Sequence, residues 1–579
     1  MSESPGMDFD AVVLAGGSAR RMGGIDKPGL SVGGTTLVQR AVDAVAAARS
    51  IVVVGPDRDL GPNVLQTRES PAGSGPVAAI AAGLNALAPP HADVVVVLAA
   101  DLPFVSSGAI DLLLAARGIA PVVFASDSHG RSQHLFAAWG RETLVSAIAA
   151  LGAAEGRSVR SLVPTESTVV AMTDVDDCDT PDDLRRARER AALGATGIDF
   201  ARSAIRERVA PIAVRHVAPI GSEGAVLAEP VIAAAPLPHV DTSAMDGYAI
   251  CGDEPWTLRD DVAYAGTSGL LDLLPGDAVR IATGARIPSG ASSVVRDEHI
   301  HRGDDGLLRR RPAAPVRDDS RRSGEDWETG TELVTAGTHI SAAVVSVALS
   351  AEVRELAVRG PVRARTVSSG NEIRVSGQLE AGQTRDSIGP ILSRYLRSCG
   401  ITETDSVHLA DTSTAFDELL AASTDVDLVI VVGATGAGAA DQLRAALSRA
   451  GADTLVDRVP IRPGGSQITA VLPSGVVVIG LPGNPLAAVS TLLLIAPAVV
   501  DALTQRTPVA PWLGRLTNAA DVESDTARII PVVRDGAGWR ADTAVRTAHL
   551  LHLVGHDALA VVPPHLSSDA LVELLPLTR

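Results

Sequence analysis

The chain has 579 residues and a formal net charge of −18, so it is long enough for several domains and too acidic to bind nucleic acid or an anionic membrane through a broad basic surface. Hydrophobic residues make up 46% of the chain but aromatic residues only 2%, which means that aliphatic side chains must fill the cores. The first residues lack the basic and apolar regions of a signal peptide, and no apolar run long enough to span a membrane follows, so we expect a cytoplasmic protein.

Residues 8–190 alternate short apolar segments with alanine-rich segments of helical length. This alternation predicts a doubly wound α/β domain, in which helices cover both faces of a parallel sheet. Strands are expected at residues 10–15, 50–55, 93–99 and 120–125. Because ligands of such sheets bind beyond the carboxyl ends of the strands, the residues that follow these strands are candidates for a site.

A glycine-rich loop follows the first expected strand and leads to Lys27, the only lysine in the chain. Gly16 and Gly17 allow the backbone to approach a ligand closely and to turn its N–H groups toward it. Lysine is a compact point charge and arginine a broad planar fork, so a tight phosphate-binding loop can accommodate the first and exclude the second. The spacing matches neither the Walker loop nor the dinucleotide fingerprint. The alternative is a chance lysine on a solvated loop.

Two further features are expected at the same edge of the sheet. Asp101 ends an apolar strand and can hold Mg²⁺ against nucleotide phosphates, although it can also simply cap the turn before Pro103. Residues 69–83 contain Glu69 and a Gly75-Pro76 turn that opens a helix, whose first N–H groups attract anions. Such a turn is common, so by itself it is a weak indication.

Residues 8–190 resemble the nucleotidyltransferases that guanylylate the molybdenum cofactor. The resemblance is carried by L-A-G-G-S-A-R-R-M-G-G-I-D-K at residues 14–27, G-P-V-A at 75–78, D-L-P-F at 101–104 and D-T-P-D-D-L at 179–184. In the last motif, Thr180 is expected to cap a helix that starts at Pro181, a structural rather than a catalytic role.

The resemblance implies transfer of GMP from GTP to a molybdopterin phosphate, with Mg²⁺ as cofactor and pyrophosphate as leaving group. Such chemistry needs mainly positioning and charge neutralisation. The implied catalytic residues are Lys27 and Asp101, with Asp101 also as metal ligand. The implied nucleotide-binding residues are Leu14, Ala15, Gly16, Gly17, Arg21, Lys27, Glu69, Gly75, Pro76 and Asp101. Cytidine-using relatives tend to read L-A-A-G at the first motif, and a CTP-using or sugar-phosphate nucleotidyltransferase is the alternative.

The chain changes character near residues 186–200, where a charged helix passes through two glycines into a new helix. We place the boundary of the first domain, residues 8–190, there. Three further domains are predicted: a helical and strand-rich region at 198–360, a regular β/α region at 361–505 and a small β-domain at 506–579.

The second half carries a set of motifs rich in glycine, proline and acidic residues, at 236–249, 276–298, 322–326, 368–372, 427–441, 462–466 and 480–485. Each has an ordinary interpretation by itself; Pro482-Gly483 is a common turn and Asn484-Pro485 a common helix start. In this order and spacing, however, the set resembles the molybdenum insertases, or molybdopterin molybdenumtransferases, over residues 200–579.

That resemblance implies insertion of molybdate into adenylylated molybdopterin with release of AMP, and a homodimer whose subunits share the cleft. The implied catalytic residues are Asp246 and Asp441, with Asp246 also as metal ligand. The implied molybdopterin-binding residues are Ser243, Asp246, Thr283, Glu298, Asp326, Ser369, Gly433, Thr435, Arg462, Pro482, Asn484 and Pro485.

Several phosphate-facing motifs depart from the family pattern. G-A-T-G-A-G at residues 433–438 stands for G-G-x-S-x-G, Ile388 stands for the asparagine of D-S-N, and R-P-G-G at 462–465 stands for K-P-G-K. One lost charge-assisted hydrogen bond costs about 1.5–3 kcal/mol. The alternative for this half is therefore a module that binds the cofactor without inserting metal, and the substitutions that favour it are Ala434, Gly436, Ile388 and Gly465.

Overall fold

A computed structural model describes residues 8–16, 25–118, 120–127, 129–192, 197–266, 272–412, 414–436 and 442–577. The chain forms two compact units, one from Met1–Ile212 with Pro361–Arg579 and the other from Ala213–Gly360. Gly17, Arg21 and Asp441, which the sequence predicts as site residues, lie outside the described residues.

The first unit begins with the predicted α/β sheet. Its strands are β1 (Phe9–Leu14), β4 (Ile51–Val54), β5 (Val64–Thr67), β6 (Val94–Ala99), β7 (Val122–Ser126), β8 (Ser132–Gly140) and β9 (Thr168–Ala171). Two short strands, β2 (Ser31–Val32) and β3 (Thr35–Thr36), pair with each other in a separate two-stranded sheet. Its helices are α1 (Leu37–Ala44), α2 (Pro76–Ala86), α3 (Ser107–Arg117), α4 (Arg141–Ala150) and α5 (Pro181–Ala192). Helices α1 and α3 contribute to a core on one face and α2 and α4 to a core on the other, so the sheet is covered on both faces as expected.

The sheet is mixed rather than fully parallel. Strand β1 lies parallel to β4 and β6, but β8 is antiparallel to β6 and β7. The connection from β7 to β8 spans only residues 127–131. So short a connection suits a hairpin, whereas a parallel neighbour needs a crossover of about a dozen residues or more.

Helix α6 (Ile198–Arg208) follows, and the second unit comes after it. This unit is strand-rich, as the sequence indicates, and it contains α7 (Ala342–Ser350). Its strands are β10 (Arg215–Val217), β11 (Val226–Leu227), β12 (Val231–Ile232), β13 (Thr242–Ser243), β14 (Gly247–Ile250), β15 (Thr257–Ala263), β16 (Asp277–Ile281), β17 (Ser293–Arg296), β18 (Ile300–Arg302), β19 (Leu308–Arg310), β20 (Ser320–Arg321), β21 (Glu332–Val334) and β22 (Leu356–Arg359).

The chain then returns to the first unit with a second α/β sheet, ordered β26-β23-β27-β31-β30-β28. Its region contains β23 (Val362–Ser369), β24 (Ile373–Arg374), β25 (Thr384–Arg385), β26 (Ile401–Leu409), β27 (Leu428–Val432), β28 (Asp453–Asp457), β29 (Ile461–Arg462), β30 (Ile468–Val471) and β31 (Val477–Leu481). The helices are α8 (Gly389–Ser398), α9 (Ala415–Ala422), α10 (Gln442–Arg449) and α11 (Pro485–Thr504). Within the described ranges, α11 is the one helix long and apolar enough to cross a membrane, but 94% of its most apolar window is buried, which is typical of a core helix.

The tail contains β32 (Trp512–Arg515), β33 (Ala527–Asp535), β34 (Gly538–Ala541), β35 (Ala558–Val562) and β36 (Leu571–Pro576). These strands do not form a separate sheet. Leu571 of β36 pairs in parallel with Val170 of β9, so the tail joins the N-terminal sheet. With β29, which pairs with β33 of the tail, the combined sheet has 13 strands.

Helix α6 packs within the first unit. Ile198, Ala201 and Ile205 are buried in the core that includes α11 and the tail strands, while another part of the helix contacts α3. The sequence predicts this helix as the start of the strand-rich region 198–360. In the structure the first unit includes the helix, because its apolar face is buried against α11. The four predicted domain ranges stay a prediction.

Candidate functional site

Lys27 lies at the carboxyl edge of the N-terminal sheet, where it bridges two carboxylates. Its Nζ atom donates to Oδ2 of Asp101 at 2.8 Å and to Oδ1 of Asp179 at 2.6 Å. Asp101 follows β6 and Asp179 precedes α5. Burial disfavours the charged ammonium, but the two carboxylates outweigh it, so the pKa of Lys27 is raised and the side chain is a cation at neutral pH.

A further acidic side chain, Asp177, lies near Lys27 and its two carboxylate partners. Burial, followed by the charges of Asp179 and Asp101, raises the pKa of Asp177 to about 6. The backbone N–H of Cys178 donates to the carbonyl of Asp101 at 3.0 Å, which ties the loop that carries Asp177 and Asp179 to the end of β6. Several carboxylates thus meet one ammonium, an arrangement that attracts cations.

The glycine loop starts at the same edge. The carbonyl of Leu14 accepts a hydrogen bond from Ala100 N, and Ala15 N donates to the carbonyl of Val54 at 2.8 Å. Gly16 follows directly. The ends of β1, β4 and β6 therefore meet next to Asp101, as the rule for parallel strands predicts.

The Glu69 to Pro76 segment has the predicted local structure. Gly75, with a φ of 96°, precedes α2, and Pro76 occupies its first turn. The Oε1 atom of Glu69 accepts a hydrogen bond from Gly73 N at 2.8 Å, so this carboxylate stabilises its own loop.

In the second unit, Asp246 and Thr283 are in direct contact. Oδ1 of Asp246 accepts hydrogen bonds from the backbone N–H of Thr283 at 2.7 Å and from its hydroxyl at 2.9 Å, and these two bonds lower the pKa of Asp246. Ser243 lies alongside, because its carbonyl accepts from Gly284 N at 2.8 Å. Three predicted residues are thus brought together.

Glu298 and Asp326 bond with arginines instead. Oε1 of Glu298 lies 3.4 Å from Nη1 of Arg296, whose guanidinium also binds the buried Asp319 at 2.7 Å. Asp326 forms a short ion pair with Arg321. Sequence reasoning did not anticipate these arginine partners.

In the second α/β sheet, the loops that follow β23, β27 and β31 converge. Ser369 Oγ donates to the carbonyl of Val432 at 3.3 Å, and Gly433 N donates to the carbonyl of Leu481 at 2.9 Å. Gly433 has a φ of 99°, and a Cβ atom there would lie 2.8 Å from Ser369 Oγ. A Cβ on Gly483 would lie 3.7 Å from the Cα of Gly433. Only glycine fits at residue 433 without displacement.

Ala434 and Thr435, which follow Gly433, do not have the conformation of a loop whose side chains and backbone are open to a phosphate. Ala434 has a φ of 52°, the left-handed region that disfavours a Cβ atom. Thr435 is 2% exposed; its hydroxyl lies 3.2 Å from Ser466 Oγ, and its carbonyl accepts a hydrogen bond from Arg444. The Thr435 side chain is therefore directed into the protein.

The predicted turn at Pro482, Asn484 and Pro485 opens α11, with Pro485 at the first helical position. Its location beside Gly433 agrees with a shared ligand-binding edge. Arg462 belongs to β29, which pairs with β33 of the tail, and Ser466, four residues further on, lies 3.2 Å from the hydroxyl of Thr435.

The sequence did not predict Asp177 and Asp179 as site residues, whereas Asp386 belongs to the D-S-N motif noted above. The acidic run at 174–179 is a signal for both, but the motif that contains Asp179 predicts only a structural role, with Thr180 as the helix cap. The capping itself is present, since Thr180 and Asp183 bond reciprocally. Oδ1 of Asp386 accepts hydrogen bonds from Ile388 N and Gly389 N at the start of α8.

The donor set at Lys27 fits Mg²⁺. Asp101 and Asp179 present hard carboxylate oxygens to one point, and Mg²⁺ commonly takes one or two carboxylates together with substrate phosphates. In the part of the chain that is described, no three His, Cys, Asp or Glu side chains form a complete metal cage, so phosphates and water would supply the remaining ligands. At Asp246, Thr283 donates both of its hydrogen bonds to Oδ1, so Oδ2 is the oxygen that would hold a metal ion.

Three family descriptions match successive parts of the chain. Residues 11–169 match a MobA-like NTP transferase domain, residues 196–351 match a MoeA N-terminal region (domains I and II), and residues 365–501 match a probable molybdopterin binding domain. These matches confirm both resemblances and the fold class drawn from the motifs.

The chain is also similar to individual proteins. It is 31% identical to molybdopterin molybdenumtransferase 2 of Mycobacterium tuberculosis over 317 residues, or 52% of this chain and 78% of the relative. It is 30% identical to molybdopterin molybdenumtransferase of Synechococcus elongatus over 296 residues, covering 48% and 73%. The structure of a molybdopterin biosynthesis MoeA protein from Pyrococcus horikoshii superposes with a TM-score of 0.54 at 22% identity, covering 66% of this chain and 100% of that one, which supports the fold.

Proposed function

We propose that this chain, which belongs to the molybdopterin molybdenumtransferase family and carries an NTP transferase domain in front of it, performs two late steps of molybdenum cofactor synthesis. Its transferase character and its place in that biosynthesis follow from the family. The proposal adds the individual reactions. The N-terminal domain transfers GMP from GTP to molybdenum-bearing molybdopterin, and the C-terminal half inserts molybdate into adenylylated molybdopterin.

The bridge from Lys27 to Asp101 and Asp179 carries the first assignment. A terminal phosphate oxygen of molybdopterin attacks the α-phosphorus of GTP; the new P–O bond forms as the bond to pyrophosphate breaks. Lys27, on a flexible stem, donates to a phosphate oxygen and offsets the charge that accumulates in transfer. Asp101 and Asp179 would hold Mg²⁺, which neutralises the phosphates. Gly16, directly after β1, would let the backbone approach a phosphate closely.

The L-A-G-G motif at residues 14–17 favours GTP over CTP as substrate, since cytidine-using relatives tend to read L-A-A-G there. A nucleotide-panel assay tests this choice. Purified protein is incubated with molybdenum-bearing molybdopterin, Mg²⁺ and GTP, CTP or ATP in turn, and pyrophosphate release is measured. We expect release with GTP, and Lys27→Ala should abolish it while Arg185→Ala, which removes an exposed ion pair on α5, should not. Absence of GMP transfer by the unaltered protein refutes the assignment.

For the C-terminal half, the contact between Asp246 and Thr283 and the convergence of Ser369, Gly433 and Gly483 support binding of molybdopterin and its phosphate. The insertion step breaks the phosphoanhydride bond of adenylylated molybdopterin, and AMP leaves. Molybdate is a substrate in this reaction and not a resident metal.

A second candidate for this half is a module that binds the cofactor without inserting metal. The strained Ala434 and the inward hydroxyl of Thr435 favour it, because both weaken the loop as a phosphate cradle. Rapid AMP release that depends on molybdate and is lost in Asp246→Asn would exclude this candidate. Tight binding of adenylylated molybdopterin with no AMP release would support it.

We also propose a homodimer formed through the insertase-like half and a cytoplasmic location, both implied by the family resemblance. Light scattering on the purified chain tests the first: a mass near twice the 59.3 kDa of one chain is expected, and a monomer at micromolar concentration contradicts it. Fractionation of expressing cells tests the second.

A further inference from the structure

Helix α6 contacts the loop that carries Asp101. The ring of Phe200 packs edge-to-face against Phe104, with 6.3 Å between the ring centroids. Phe104 is 6% exposed and follows Asp101 by three residues. The guanidinium of Arg40, from α1, lies 5.2 Å from the Phe200 ring centroid on the same cluster. Edge-to-face aromatic pairs and cation–π contacts each contribute a defined orientation in addition to buried area.

The same helix also caps α3. Ser203 Oγ accepts a hydrogen bond from the backbone N–H of Gly108 at 3.3 Å and lies 3.1 Å from Ser107 Oγ. Gly108 is in the first turn of α3, where backbone N–H groups have no partner within their own helix. Ser106, the residue that precedes this helix, makes no side-chain capping bond. Ser203 therefore supplies a cap from a different helix.

The loop that carries Asp179 contacts the start of α6. A Cβ atom on Gly197, the residue before the helix, would lie 1.6 Å from Oδ1 of Asp174. Asp174 is 1% exposed and lies in the loop between β9 and α5 that also carries Asp177 and Asp179. Gly197 and the first two turns of α6 thus contact both loops that deliver carboxylates to Lys27.

The C-terminal half holds the other side of α6. Nη1 of Arg202 bonds to both carboxylate oxygens of Glu573 in β36 at 2.8 and 2.9 Å, and its Nε atom donates to the carbonyl of Leu494 in α11 at 2.8 Å. Arg206 reaches Asp501 of α11 at 3.2 Å. These partners lie on the helix that opens with the Pro482 to Pro485 turn and on the strand that pairs with β9.

We propose that Phe200 and Ser203 of α6 are positioning residues for the nucleotide site, so that transfer in the N-terminal domain depends on a helix held by the C-terminal half. Their contacts in the described part of the chain are with Phe104, Arg40, Ser107 and Gly108, so they act on Lys27 and its carboxylates indirectly. They fix the 101–108 segment, and with it the place of Asp101 relative to Lys27. This inference rests on the proposed nucleotidyltransferase function.

The test uses the full chain. Phe200→Ala and Ser203→Ala are compared with the unaltered protein, with the conservative Phe200→Tyr, and with Arg208→Ala as a matched control on the same helix, whose exposed pair with Asp453 touches neither loop. Three quantities are measured: kcat and KM for GTP by pyrophosphate release, amide hydrogen exchange of residues 101–108, and molybdate-dependent AMP release or, if none occurs, molybdopterin affinity.

We expect kcat to fall about tenfold to a hundredfold in the two alanine variants, the range that a displacement of about 1 Å produces, with KM changed less than about twofold. Exchange of the Gly108 amide should accelerate in Ser203→Ala. Phe200→Tyr should retain the activity, and the readout of the C-terminal half should stay unchanged in every variant.

Unchanged kcat in both alanine variants overturns the proposal. So does a uniform loss, in which the C-terminal readout falls together with kcat, because that pattern marks a fold defect. If the unaltered protein transfers no nucleotide, the proposed function fails; the positioning contact is then judged by hydrogen exchange alone, where unchanged exchange at residues 101–108 overturns it. Should Phe200→Ala not fold, Ser203→Ala gives the same decision.

Discussion

Lys27 Nζ lies 2.8 Å from Oδ2 of Asp101, although 74 residues separate them in the chain. Asp179 accepts the second bond of the same ammonium. The only lysine of the chain thus compensates two carboxylates that would otherwise repel each other. Because lysine has three donors on a flexible stem, the same group can exchange a carboxylate for a phosphate oxygen without leaving the site.

The first prediction concerns Lys27 itself. Lys27→Arg keeps the charge but replaces a point charge with a planar fork, so we expect pyrophosphate release to slow about tenfold to a hundredfold, the equivalent of one charge-assisted hydrogen bond. Lys27→Ala should lose turnover but bind Mg²⁺ more tightly, because the competing ammonium is gone. Steady-state kinetics and isothermal titration with Mg²⁺ measure both effects. Full activity of the arginine variant would show that the shape of the cation does not matter.

The second prediction separates Asp179 from helix capping. Asp179→Asn removes one carboxylate next to Lys27, so the Mg²⁺ concentration for half-maximal activity should rise about tenfold, with activity recovered at high Mg²⁺. Asp182→Asn is the matched control, because Asp182 is an exposed acid on α5 paired with Arg185. If Asp179→Asn changes only the unfolding midpoint, then Asp179 has the structural role that the sequence motif implied.

The third prediction concerns the loop after β27. Gly433→Ala places a Cβ atom 2.8 Å from Ser369 Oγ in a residue with φ of 99°, so we expect a loss of about 1–3 kcal/mol in unfolding free energy and weaker molybdopterin binding. Ala434→Gly relieves a left-handed alanine and should tighten phosphate binding while changing stability by less than about 1 kcal/mol. Urea denaturation and ligand titration on both variants decide the matter. Tighter binding by Gly433→Ala would contradict the described loop.

The fourth prediction is a pH dependence of stability. Burial, followed by the charge of Asp174, raises the pKa of Asp199 to about 7, against an ordinary value near 4; Glu573 adds to the rise, while Arg202 and Arg206 oppose it. The folded state therefore keeps the proton longer than the unfolded state does. The resulting stabilisation is complete below about pH 4 and is lost as the pH rises through about 7.

Urea midpoints at pH 5.5 and 8.0 measure this effect. We expect the unaltered protein to be less stable at pH 8.0 by on the order of a few kcal/mol. The Asp199→Asn side chain is neutral at both pH values, so the stability of this variant should differ less between pH 5.5 and 8.0. The exposed Asp182→Asn should behave like the unaltered protein. Equal pH dependence in Asp199→Asn and the unaltered protein would assign the effect to another group.

Local patterns in the sequence determined the strand ends that form the site. Gly16 follows the apolar run of β1, and Asp101 follows the apolar run of β6. The general rule for parallel strands places both residues at one edge of a sheet. The reciprocal bonds of Thr180 and Asp183 are equally local, since they involve residues three apart. These features were predictable because hydrophobic periodicity and capping act over a few residues.

Tertiary structure alone decided the rest. Nothing in the sequence near Val170 indicates that Leu571 continues its sheet, and nothing in α6 indicates that Phe200 packs on Phe104 while Arg202 binds Glu573. The same holds for Asp179, whose motif was explained by capping until the fold brought it to Lys27. Contacts between residues far apart in the chain depend on how whole faces pack. A one-dimensional pattern records which faces are apolar but not which faces meet.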